Sequence, residues 1–175
     1  MKPAIFTFLL LPLMLGCQEK VKTDDVLKTP TVSIAAQSSL GSCKLSNGDL
    51  RVVVDHTDKG IAITLSGASV ASNISLIEVP SDECMAEGFE SLTCQQDSFT
   101  INQQLCSGWN IISETLTFGR SSDDTKDYQL LDYKRKSMDR RDPEKEKIKI
   151  FKHTQFGQIS FEKLDRDRLI ELINN

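Results

Sequence analysis

The sequence predicts an all-β, mainly antiparallel fold: a small barrel or sandwich of about eight strands with a short C-terminal helix. Three observations carry this. Apolar residues alternate with polar ones at period two, the signature of half-buried strands. The connections between these runs are hairpin-sized and rich in Gly, Asp and Ser. No strand–helix–strand alternation appears, which argues against a parallel α/β sheet.

"DLRVVVDHTDKGIAITLSG" holds two β-branched runs around Asp58-Lys59-Gly60 and reads as a hairpin, with Ile61, Ile63 and Leu65 on one face. "NISLIEV" is a third strand, stopped by Pro80. Residues 81–88 read as a loop carrying Cys84. "FESLTCQ" and "SFTIN" are two short strands around Gln96-Asp97. "WNIISETLTFGRSSDDTKDYQLLDYKRK" is a long hairpin in which Leu116 and Phe118 alternate with Thr115 and Thr117, with its turn at Ser121 to Thr125. Residues 137–147 contain one apolar side chain and read as a solvated loop or a short exposed helix. "IKIFKHTQFGQISFEKL" reads as another hairpin, with Gly157 in its turn and Ile159 and Phe161 in the partner strand. In "DRDRLIELINN", Asp165 is a candidate N-cap, and Leu169, Leu172 and Ile173 recur at helical spacing.

The N-terminus has a different character. Lys2 is followed by an uncharged stretch from Ala4 to Leu15, about half the roughly 20 residues that span a bilayer. It has no polar face, unlike a core helix. Its length and place match the apolar region of a secretory signal. Met14-Leu15-Gly16-Cys17 then resembles the lipobox of bacterial lipoproteins, with Met14 where that motif usually has Leu. The resemblance covers about twenty residues and implies cleavage before Cys17 and acylation of Cys17 with chains such as palmitate. Stable anchoring needs two or more acyl chains, which this modification supplies. Gln18, not Asp, follows the cysteine, which by analogy implies sorting to the outer membrane with the domain facing the periplasm. The expected organisation is therefore a cleaved signal peptide (1–16), a lipidated flexible tether (17–39) and a single β domain (40–175). As a coil, Gln18 to Ser39 has an r.m.s. span of roughly 26 Å. Val32, Ile34 and Leu40 are the alternative, a first short strand.

Loss of residues 1–16 leaves enough chain for one domain with a real core. Its net charge is −5, distributed unevenly: −7 over residues 18–118 and +2 over residues 119–175. A net-acidic chain argues against general nucleic-acid binding. With Cys17 lipidated, Cys43, Cys84, Cys94 and Cys106 form an even set in an exported protein, which reads as two disulfides. Sequence allows three pairings; Cys43–Cys84 with Cys94–Cys106 is the expected one. The intervals of 40, 9 and 11 residues contain no C-x-x-C, so a zinc site is not expected.

Catalytic signals are sparse. His56 sits beside Asp55 and Asp58 in a stretch that also reads as a polar turn. His153 ends a strand without a nucleophile motif nearby. Ser160-Phe161-Glu162-Lys163 fits S-x-x-K, but it reads as alternating strand. The chain has no G-x-S-x-G, P-loop, G-x-G-x-x-G or H-E-x-x-H, and no cofactor or metal is expected. Two features fit binding. Residues 133–149 hold eight Lys/Arg against four Asp/Glu; Tyr133, Lys134, Arg135, Lys136, Arg140 and Arg141 form a candidate surface for an anionic glycan or an envelope protein. Trp109 is the sole tryptophan, close to Cys106, and is either an exposed anchor or core.

Three function classes follow. The leading one is a membrane-anchored envelope lipoprotein acting as a binding or structural module. A second is an inhibitor of a hydrolase such as lysozyme, with the Ser81 to Glu87 loop as the plug. The third is a hydrolase, which would need His56 or His153 beside a carboxylate in a pocket.

Overall fold

In the computed structural model, residues 39–46, 50–67, 71–120 and 127–174 are described. The expected signal peptide, Cys17 and nearly all of the tether lie outside them, as does the turn of the long hairpin. Among the described residues, nine strands form two antiparallel meanders. The first sheet holds β1 (Gly41–Lys44), β2 (Arg51–Thr57), β3 (Gly60–Ser66) and β4 (Ala71–Ile77) in sequence order. The second holds β5 (Gly88–Cys94), β6 (Ser98–Ser107), β7 (Asn110–Arg120), β8 (Tyr128–Asp139) and β9 (Asp142–Lys152), also in order. The architecture is a sandwich, not a closed barrel.

Period-two alternation builds the layers. Val52, Val54, Ile63, Leu65 and Leu76 of the first sheet are buried against Phe99, Ile101, Leu116, Phe118 and Leu130 of the second. Each such side chain contributes roughly 1.5–3 kcal/mol when fully buried. Phe161 stands edge-on to Phe99 and Phe118, with centroids 5.7 and 5.3 Å apart. On the outer face of the second sheet the same alternation sets up polar rows. Asn102 Nδ2 donates to Ser91 Oγ at 2.9 Å, and Thr115 Oγ1 donates to Asn102 Oδ1 at 2.8 Å.

Two disulfides brace the domain, but not in the expected pairing. The bridges are Cys43–Cys94 and Cys84–Cys106. Both expected pairs fail for one reason: each joins opposite ends of the sandwich. Cys94 lies opposite Phe99. Cys106 is seven residues farther along β6, roughly 23 Å at strand rise. A bridge needs Cα atoms within about 7 Å. Cys43, at the edge of the first sheet, meets Cys94 at the edge of the second, with Cα atoms 5.8 Å apart. On the same seam Gly41 leaves room for Phe89, whose Cζ would lie 3.0 Å from an added Cβ.

The other side is covered by the C-terminal segment, where two expectations are corrected. Residues 137–147 are not a loop or helix. β8 and β9 run through them, joined at Asp139 and Asp142. Apolar residues are scarce there because β9 is an edge strand with most of its side chains exposed. The expected hairpin around Gly157 also does not form. Lys152 N–H donates to Gln155 Oε1 at 2.7 Å, and α1 (His153–Phe156) follows. Gly157, at φ 74°, ends that helix rather than a hairpin. Ile159 and Phe161 then enter the core, and Leu130 N–H donates to Ile159 O at 2.9 Å. A 3-10 turn, Phe161–Lys163, leads to α2 (Arg166–Asn174). Asp165 caps α2 as expected, accepting from Arg168 N–H at 2.8 Å, and Leu169 and Leu172 are buried.

Candidate functional site

The seven residues expected to bind fall into three groups, one at two hairpin turns and two separated by strand parity along β8. The first group forms one end of the sandwich. Ser107 and Asn110 close the β6–β7 hairpin, with Gly108 and Trp109 in its turn. Gly108 sits at φ 57°, which glycine adopts without strain. Trp109 is 60% exposed, so it is an anchor on the surface and not core. The β8–β9 turn packs against it. Arg140 N–H donates to Trp109 O at 2.9 Å, and the Arg141 guanidinium lies 5.6 Å from the Trp109 ring centroid. This cation–π pair is held in place by Asp139, which accepts from Arg141 N, Nε and Nη2 at 2.9, 3.0 and 2.7 Å. Hydrogen bonds from the Arg141 side chain, then from its backbone, bring the Asp139 carboxyl down to about 2.

The same end carries the 81–87 loop. Cys84–Cys106 ties it to β6 next to the Trp109 turn. Inside the loop Cys84 N–H donates to Ser81 O at 3.1 Å, and Ser81 Oγ donates to Glu87 Oε2 at 3.1 Å. Met85 projects from it, 91% exposed. This residue drew no attention in the sequence, because a lone Met in an acidic loop has no periodicity to mark it.

The second group points inward and is removed from the binding surface. Tyr133 is fully buried. Its hydroxyl donates to Glu114 Oε1 at 2.5 Å, and Arg135 Nη1 donates to the same oxygen at 2.7 Å. Arg166 Nη1 forms an ion pair with Glu114 Oε2, and Gln103 Nε2 donates to that oxygen at 3.1 Å. Burial and the adjacent Glu114 carboxylate push the Tyr133 hydroxyl well above the usual phenol range. A buried carboxylate with this many donors is satisfied, as a buried charge must be. The cluster fixes α2 to the sandwich. Parity was the available signal: Glu114 shares a face with Leu116 and Phe118, and Gln103 with Ile101 and Leu105.

The third group, Lys134 and Lys136, points outward from β8. Lys136 is ion-paired with Glu146 of β9, while Lys134 is exposed. The two histidines lie at opposite ends. His56 is exposed near the β2–β3 turn, and His153 is exposed at the start of α1, beyond the far end of β9. They do not form one site. Ser160 and Lys163 are not on a strand together: Ser160 forms an isolated bridge with Gln129, and Lys163 closes the 3-10 turn. Among the described residues, no three His, Cys, Asp or Glu side chains are grouped to hold a metal, and no helix is long and apolar enough to cross a membrane.

The candidate site is therefore the end bearing Trp109, Arg140, Arg141 and the pinned 81–87 loop: a rigid aromatic–cation corner beside a protruding apolar side chain. Comparison of the chain with protein-family models, with curated proteins and with solved structures finds no match.

Proposed function

We propose that this chain is a lipid-anchored binding module of a bacterial cell envelope, tethered through Cys17 to the outer membrane and facing the periplasm. The observation that supports it best is the pair of disulfides in the domain, which belongs with an oxidising compartment. The lipobox-like Met14-Leu15-Gly16-Cys17 agrees with it. In this reading Trp109, Arg140 and Arg141 contact an envelope protein or an anionic glycan. Tryptophan and arginine are the residues most often found at the energetic centre of such contacts. The test is an intact mass of the membrane-extracted protein, before and after reduction and alkylation. A mass beginning at Cys17 with added acyl chains, and four cysteines alkylated only after reduction, is the expected result. A mass retaining Met1 with freely alkylated thiols overturns the proposal.

One observation favours a second reading, inhibition of a secreted hydrolase such as lysozyme. An inhibitor plugs a cleft with a rigid protruding loop, and the 81–87 loop is both disulfide-pinned and tipped by Met85. Titration of lysozyme activity against the purified domain tests it; undiminished turnover at excess domain removes it.

A further inference from the structure

β9 ends the second sheet, so its outer backbone edge has no strand partner among the described residues. Residues 143–150 of that strand are all exposed. An uncovered edge is a template for another strand, and proteins usually guard it. Here the guard is selective, as the alternation shows. One face of β9 presents Glu146, Ile148, Ile150 and Lys152; the other presents Lys145, Lys147, Lys149 and Phe151. Ile148 and Ile150 are 48% and 54% exposed, beside Lys136 and Lys134 of β8.

Pairing with a second copy is opposed in the registers centred on residues 145 to 148, and in the one centred on 149 Lys149 still faces its own copy. A two-fold axis through an antiparallel strand pair places residues of like parity opposite one another. Centring the axis on residue 145 sets Glu144 against Glu146. Centring it on 146, 147 or 148 sets Lys145 against Lys147, Lys145 against Lys149, or Lys147 against Lys149. Like charges directly opposite are destabilising. A strand of different sequence meets no such penalty if its charges are reversed.

We propose that β9 is a docking edge for an extended segment of a partner protein in which acidic and apolar residues alternate. Its apolar side chains cover Ile148 and Ile150, and its carboxylates lie opposite Lys147 and its neighbours on the same face. Main-chain hydrogen bonds to the open edge provide affinity, and the two faces provide the register. The ion pair of Lys145 with Asp142 at 2.7 Å and the hydrogen bond from Lys149 Nζ to Ile173 O at 2.8 Å are both at exposed side chains. Exchanging such contacts for a partner's carboxylates costs little. This edge is separate from the Trp109 corner, and its use does not depend on the lipid anchor.

The experiment uses the full domain and a synthetic peptide alternating Glu and Val over about nine residues, enough to cover the exposed run at strand rise. Binding is followed by fluorescence anisotropy, and its place by amide hydrogen exchange. The expected result is saturable binding with added protection confined to β9. Lys147→Glu/Lys149→Glu and, separately, Ile148→Thr/Ile150→Thr each weaken it about tenfold or more, with the circular dichroism spectrum unchanged. A Lys/Val peptide of the same pattern does not bind. Absence of binding, equal binding of the Lys/Val peptide, or protection outside β9 overturns the proposal. Binding of the domain to phosphatidylglycerol vesicles, lost in Lys147→Glu/Lys149→Glu while the Glu/Val peptide fails, overturns it in favour of a lipid surface.

Discussion

Along the β1–β5 seam a covalent bond joins the sheets; on the β4–β9 side a stretch of polypeptide does. The first needs only Cys43–Cys94 and a glycine that lets Phe89 approach. The second uses the whole segment from Ile159 to Ile173. Asn73 of β4 donates to Phe161 O and Leu164 O at 2.6 and 2.7 Å, and Arg166 reaches Glu114. A disulfide stabilises chiefly by restricting the unfolded chain, and little geometry is required of its neighbours. The polar plug works only if every buried partner is present, because each missing one leaves a desolvated group behind. The covalent seam is thus insensitive to its surroundings, and the polar seam is sensitive to single substitutions.

Three substitutions bear on this contrast. Arg166→Ala leaves the fully buried Glu114 with Arg135 as its remaining cation and is expected to destabilise by about 3–5 kcal/mol in urea unfolding. A loss below 1 kcal/mol would show that this ion pair adds little to a C-terminal plug held by its buried apolar side chains and Asn73. Replacing Cys43 and Cys94 together by Ala is expected to cost about 2–4 kcal/mol, near the top of that range because the bridge spans 51 residues. If this exceeds the cost of Arg166→Ala, the ranking of the seams reverses. Asn73→Ala strands two buried carbonyls and is expected to cost about 1–3 kcal/mol, with faster amide exchange in α2 than in the β1–β5 seam. Uniform exchange across both seams would sink that expectation.

The smallest effect lies outside both seams, at the Trp109 corner. Asp139 titrates at about 2 in the folded protein, below its ordinary value of 3.8. The group is depressed, so its contribution is present above the ordinary value and is lost as pH falls through about 2. Trp109 fluorescence is therefore expected to change between pH 4 and pH 2 as Asp139 releases Arg141, and Asp139→Asn abolishes that transition. A transition that persists in Asp139→Asn would assign it to some other group.

The strands were legible because their faces differ in polarity. Ile61, Ile63 and Leu65, and Leu116 with Phe118, alternate and are buried as expected. β9 was only half visible: Ile148 and Ile150 share a face, but the face is turned to solvent, so its first residues carried no apolar signal. The Gly157 turn misled because glycine at positive φ serves a helix end as readily as a hairpin. For the candidate site, composition located the basic run but not its division. Tyr133 and Arg135 go inward, and Lys134 and Lys136 outward, because adjacent strand residues face opposite ways. The disulfide partners were not legible, since pairing depends on which sheet edges meet and not on spacing along the chain.

That connectivity has a consequence for biogenesis. The bridges interleave: among the four cysteines of the β domain, the first pairs with the third and the second with the fourth. A chain exported in sequence order behind a signal peptide presents Cys43 and Cys84 to oxidants before Cys94 emerges. The consecutive, incorrect pair is then the earliest one available. From that pair, the final set is reached only by thiol exchange through a mixed disulfide, which an isomerase catalyses. Yield in a host lacking that enzyme should fall, with a Cys43–Cys84 species accumulating in its place.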